Sequence, residues 1–98
     1  MSKPIEFLHE AQIEMTEAAL FYDAQVRGLG TTFLDTIERG LREIQSHPTR
    51  WPTIGRNIRR LRIGRFPYGI LYRETSAAII IVAIMHLHRR PGYWQNRL

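Results

Sequence analysis

Two histidines, His86 and His88, stand two residues apart and are followed by Arg89, Arg90 and Tyr93. Alternate residues of an extended strand point to one side, so the two imidazoles are expected to share a face. Imidazole changes charge near neutral pH, which makes it the natural general acid or base. Metal-free phosphodiester cleavage needs a group to take the 2′-hydroxyl proton, a cation to steady the phosphate and an acid for the leaving oxygen. His86, His88, Arg65 and Tyr93 are the candidates for those parts. A plainer reading has His86 partly buried and hydrogen-bonded, with His88 closing the strand. A His-x-His metal site is disfavoured because His9 and His47 lie in segments with no ligand-like spacing. No metal and no cofactor is expected.

A second concentration of chemistry is "RRLRIGRFPYGILYRE", residues 59–74, with five arginines among aromatic and aliphatic residues. Residues 1–49 hold Lys3 and three arginines against eight acidic residues, a balance of −4. Residues 50–98 hold ten arginines against Glu74 alone, a balance of +9, so the basic half is almost purely arginine. The guanidinium fork grips phosphate or carboxylate in bidentate fashion, which an ammonium cannot do. Arg60, Arg62, Arg65, Arg89, Arg90 and Arg97 are therefore candidate contacts to a nucleic acid or an acidic protein. In the first case Tyr68, Tyr93 or Trp94 would stack on bases; in the second the arginines meet acidic residues. A basic but merely solvated half remains the bland alternative.

The elements that must position these groups follow from periodicity. "PIEFL", residues 4–8, alternates as a short strand, and Ala11, Met15, Ala18, Ala19 and Tyr22 repeat at helical spacing over about 11–25. Gly28 breaks that helix. Leu29, Phe33, Ile37, Leu41 and Ile44 form one apolar stripe of a second helix at 29–46, ended by Pro48. Residues 49–57 read as a loop. Leu61 and Ile63 then alternate with Arg60 and Arg62 in a strand at 58–65, and Tyr68, Ile70 and Tyr72 alternate with Gly69, Leu71 and Arg73 in another. Residues 78–88 form a long apolar strand with both faces covered. The order β-α-α-β-β-β predicts an α+β fold with a helical hairpin on a small, mainly antiparallel sheet.

At 98 residues, 44% hydrophobic and 23% charged, the chain is expected to be a single domain, residues 1–98. Its longest apolar run, "AAIIIVAIM", falls short of the roughly 18 residues that span a bilayer, so no membrane partner is expected. Absence of cysteine removes thiolate and disulfide chemistry, and "MSKPIEFLHE" lacks a signal-peptide pattern, so the expected location is cytoplasmic. Ile13, Leu20 and Phe21 fall outside the stripe of the first helix and are candidate partner contacts.

Three fragments, in order, give the chain a resemblance. They are "EAALFYDAQVRGLGTTFLDTIERGLREIQSHPTRWP", "RRLRIGRFPYGILYRE" and "IVAIMHLHRRPGYWQNR". Together they resemble the RelE/ParE superfamily of toxins from type II toxin–antitoxin systems, in particular its ParE-like, plasmid-stabilisation branch. The resemblance implies a small toxin neutralised by a cognate antitoxin, with Ile13, Leu20, Phe21, Arg60 and Arg62 as antitoxin-contact candidates. It also implies that operator DNA is met only through the antitoxin. Two modes of growth arrest follow from it: ParE-like members poison DNA gyrase, and RelE-like members cut mRNA on the ribosome. RelE-like nucleases resemble one another in a basic residue just before a Leu-Val pair in the strand matching "PYGILY"; here that position is Gly69. The vacancy favours the gyrase inhibitor, a binding protein rather than an enzyme. The endoribonuclease and a non-toxic co-repressor that only holds its antitoxin stay open.

Overall fold

The computed structural model describes residues 2–98. Strand β1 (Ile5–Phe7) is followed by helices α1 (His9–Gln25) and α2 (Leu29–Ser46), then strands β2 (Thr53–Gly55), β3 (Ile58–Ile63), β4 (Tyr68–Glu74) and β5 (Ile79–His86). A short 3₁₀ turn, Gln95–Arg97, follows the last strand. The sheet order is β1-β5-β4-β3-β2, antiparallel except for β1 beside β5. The expected α+β layering therefore holds, with boundary corrections. Helix α1 begins two residues before position 11, β3 stops at Ile63 instead of residue 65, and β5 stops at His86 instead of running to residue 88.

The loop expected at 49–57 contains a strand, β2. It forms a hairpin with β3 through Arg56 and Asn57, both left-handed at φ 52° and 62°. Two successive positive φ values match the twist of flanking strands, as in a type I′ turn. The usual Asn-Gly signal is replaced by Arg-Asn, and Pro52 further masks the strand.

Apolar burial occurs on both faces of the sheet. On one, Phe33, Ile37 and Ile44 of α2 and Ala11, Ala18 and Ala19 of α1 bury against Ile63, Ile70, Tyr72, Ile81 and Ile84. Tyr22, Phe33 and Phe66 meet there with centroids 4.8–5.4 Å apart, at edge-on or tilted angles that aromatic quadrupoles favour. Gly40 lets α2 lie close: a Cβ there would come within 2.9 Å of both Leu61 and Ile70 methyls. The opposite face holds a smaller cluster of Ile58, Leu71, Val82, Ala83, Met85 and Trp94. Val82 is the extra residue of a bulge, since Leu71 pairs Ala83 whereas Tyr72 pairs Ile81. The bulge shifts the strand's parity, and burial of both faces leaves β5 without alternation in sequence, as expected.

Candidate functional site

Beyond the reach of β1, the outer edge of β5 has no neighbouring strand, and its backbone groups need other partners. Glu14 of α1 supplies one. Its carboxylate accepts from the Ile84 amide at 3.1 Å, the Tyr93 hydroxyl at 2.7 Å, and both Arg97 nitrogens at 2.8 and 2.9 Å. Arg97 also donates to the Val82 carbonyl at 3.1 Å. Both charged side chains are largely buried, at 14% and 12% exposure. The tail is thus tied to α1 across the sheet edge. Burial, then the hydrogen bond to Glu14, push the Tyr93 phenol well above its ordinary value. The same hydrogen bond raises the Arg97 pKa.

This network decides several sequence candidates. Arg97 is spent on Glu14 and is not a free contact for a partner. Tyr93 has its hydroxyl on Glu14, while the guanidiniums of Arg89 and Arg97 lie 4.0 and 4.9 Å from its ring centroid. Trp94 is 2% exposed. Neither aromatic offers an open face for a base, so both serve as packing residues and the stacking alternative falls away for them. Sequence periodicity places Glu14 off the apolar stripe and so misses it, although it lies three residues after Ala11 and four before Ala18, on the same side of the helix.

His86 and His88 do meet, ring to ring at 5.2 Å, and His86 sits edge-on to Tyr68 at 5.1 Å. The His86 Nδ1 accepts the His88 backbone N–H at 3.1 Å, so a tight turn and not strand alternation joins them. Half-buried His86 lines a shallow cleft with Glu17, Tyr68 and Arg89. Arg65 does not join it. It stands exposed in the β3–β4 turn at φ 71° and, with Arg62, lines a separate groove beside Arg39 and Glu43 of α2. The four groups proposed for phosphodiester cleavage are therefore not assembled into one cluster.

Across the β3–β4 ladder Arg60 pairs with Leu71 and Arg62 with Gly69. A Cβ at Gly69 would lie 3.1 Å from Arg60 Cγ and 3.3 Å from its Cδ. The space a basic side chain would fill at that position is taken by the Arg60 stem. Arg60 then borders a concavity with Ile54, Met85, Leu87 and Arg89, walled by Pro91, Gly92 and Gln95. Arg59, in contrast, is structural: it donates to the Trp51 carbonyl at 2.6 Å and the Thr49 carbonyl at 3.2 Å. Arg90 is exposed beside Pro91. Across the hairpin, Ile13, Leu20 and Phe21 are 41%, 65% and 57% exposed, and Leu34 at 39% borders the groove between the helices.

A helical hairpin packed on a small, mainly antiparallel sheet is the architecture that the RelE/ParE resemblance implies, and the structure adds β2 as a fifth strand. Residues 5–91 match the family described as ParE toxin of type II toxin-antitoxin system, parDE. The chain belongs to that family: it is a ParE-type toxin of a type II toxin–antitoxin system. Its fold is similar to a solved structure described as the chromosomal ParDE TA system from P. aeruginosa, with a TM-score of 0.76 at 15% identity. That likeness covers 87% of this chain and 96% of the other. No curated protein matches the sequence. No helix among the described residues is long and apolar enough to cross a membrane.

Proposed function

We propose that this toxin arrests growth by binding DNA gyrase and stalling it on cleaved DNA, and that a cognate antitoxin neutralises it by covering its exposed surfaces. The observation carrying this reading is the engagement of the groups a ribonuclease would need. The Tyr93 hydroxyl and the Arg97 guanidinium are both bound to buried Glu14. Gly69 has no side chain, and Arg65 opens into a different groove from His86. Arg62, Arg65, Arg89 and Arg90 remain as a basic rim able to meet acidic residues of a protein target. The apolar residues Ile13 and Leu20 on the hairpin supply a surface for the antitoxin, and Phe21 extends it toward the His86–Arg89 cleft; the antitoxin also links the toxin to operator DNA.

The test is a cleavage assay with purified toxin, gyrase, ATP and supercoiled plasmid. Protein-linked linear DNA should rise with toxin and disappear when antitoxin is added. Unchanged supercoiling and no linear DNA would remove gyrase as the target. Ribosomal mRNA cleavage then becomes the leading reading, with His86 and His88 the first residues to replace. A co-repressor without toxicity would give neither product.

A further inference from the structure

We propose that the concavity on the helix-free face is a docking pocket for an acidic, aliphatic peptide segment of the antitoxin. One carboxylate would sit between Arg60 and Arg89, and the neighbouring aliphatic side chain would rest on Met85 and Leu87. The proposal rests on the reading of the chain as an antitoxin-neutralised toxin, and adds the chemistry of the segment that covers this face.

Three features build the pocket. The first is charge without a partner: among the described residues, no carboxylate lies within ion-pair distance of Arg60 or Arg89. Both border the same cavity, of about 380 Å³. The stem of Arg60 packs over Gly69, which leaves a slot for it. The second is the floor, which is aliphatic and thioether: Ile54, Met85 and Leu87. The third is a fixed wall. Gly92 takes a left-handed φ of 75°, and the turn around it is anchored through Tyr93 and Arg97 on Glu14.

These features favour a peptide over a nucleic acid. Single-stranded nucleic acid is normally held by aromatic stacking as well as by charge. Trp94 lines the concavity but is only 2% exposed, and the ring of Tyr93 is flanked by two guanidiniums, so a base arriving here finds little aromatic surface to stack on. A carboxylate beside a leucine or isoleucine uses both the paired arginines and the apolar floor. The surrounding half of the chain carries a balance of +9, which draws an acidic segment toward it.

The experiment is a titration of ¹⁵N-labelled full-length protein at low salt with the blocked peptide Ac-Leu-Glu-Leu-NH₂. Its Gln analogue and tetrathymidylate serve as the comparison arms. The Glu peptide should shift the Trp94 indole N–H and the Leu87 and Gly92 amides in a saturable way. Binding should fall about tenfold or more for the Gln peptide, and likewise for Arg60→Gln or Arg89→Gln, because a charge-assisted hydrogen bond is lost. No shift at millimolar peptide, equal binding of the Gln peptide, or tighter binding of tetrathymidylate at the same residues would overturn the proposal. In the toxin–antitoxin complex, amide exchange at residues 58–60 and 85–95 should slow; unchanged exchange would exclude the antitoxin as occupant. None of these measurements involves gyrase. Peptide binding with a negative cleavage assay would leave the pocket standing and remove the gyrase reading, and the reverse result would do the opposite.

Discussion

The two faces of the sheet are closed by different chemistry. On the helix side, Phe33, Ile37, Ile44, Ile70 and Tyr72 share the burial, and Tyr22 and Phe66 extend it. No single contact there is indispensable, because apolar burial is non-directional and spread over many groups. On the other side a smaller cluster is covered by a tail that depends on one carboxylate, Glu14. A buried ion pair fails differently, since removing one partner strands the other charge away from water. The helix face is therefore built to degrade gradually, and the tail face to fail at one residue.

The largest expected effect tests that contrast. Glu14→Ala should cost about 3–5 kcal/mol, because Arg97 and the Tyr93 hydroxyl lose their acceptor together. Replacing both charges by leucine, Glu14→Leu with Arg97→Leu, should recover much of the loss, as apolar residues often substitute for a buried pair. On the helix face Ile37→Val should cost only about 0.5–1.5 kcal/mol. Urea denaturation of the set decides it. If the double variant is as unstable as Glu14→Ala, the stranded charge is not the cause.

Alkaline pH should weaken both faces, for the same reason. A phenol whose folded pKa exceeds its unfolded value of about 10 holds its proton more tightly when folded. Its contribution is complete below the unfolded value and is lost as pH climbs toward the folded one. For Tyr72 on the helix face, burial pushes the pKa up to about 12, so the window runs from pH 10 to about 12. The loss across it is on the order of 2–3 kcal/mol. Tyr93 on the tail face is raised in the same direction. Tyr93→Phe should remove only the tail's share of the slope, read from urea midpoints at several pH values. A parent protein equally stable at pH 10 and 12 would contradict this.

A smaller effect probes how closely the helix layer fits. Gly40→Ala places a methyl within 2.9 Å of the Leu61 and Ile70 side chains. Those are flexible ends, so an overpacking cost of about 1–3 kcal/mol is expected. The Glu14 network should survive it, with hydrogen exchange of residues 93–97 unchanged at native conditions.

The same contrast explains what was readable in the chain. The stripe Leu29, Phe33, Ile37, Leu41 and Ile44 exposes its period directly, and the α2 layer followed from it. Leu61 and Ile63 likewise predicted the face that packs on the helices. Glu14 and Arg97 are 83 positions apart, so no local period joins them. Strand β2 stayed hidden behind Pro52 and a turn of Arg56 and Asn57. The placement of Arg65 away from His86 depends on how two turns are aimed, which alternation cannot give. Exposed Leu20 and Phe21 were legible because they fall off the α1 stripe.

The smallest stability changes are expected at the exposed surfaces, where they should separate the two partners. Leu20→Ser with Phe21→Ser, at sites 65% and 57% exposed, should leave folding within about 0.5 kcal/mol per site. Arg62→Ala with Arg65→Ala should do the same. Binding should respond unequally. Burying a leucine or phenylalanine side chain contributes roughly 1.5–3 kcal/mol, so losing either should weaken antitoxin binding about tenfold or more. Growth arrest should persist in that variant and become harder to neutralise. The arginine pair should reverse the pattern, weakening growth arrest while leaving the hairpin's contact with the antitoxin intact. Calorimetry against the antitoxin, beside growth curves of cells expressing each variant, would read both. Parental antitoxin affinity in the Leu20–Phe21 variant would mean that the hairpin's apolar face is not the antitoxin's surface. Full arrest by the Arg62–Arg65 variant would remove that stretch of the basic rim from the target contact.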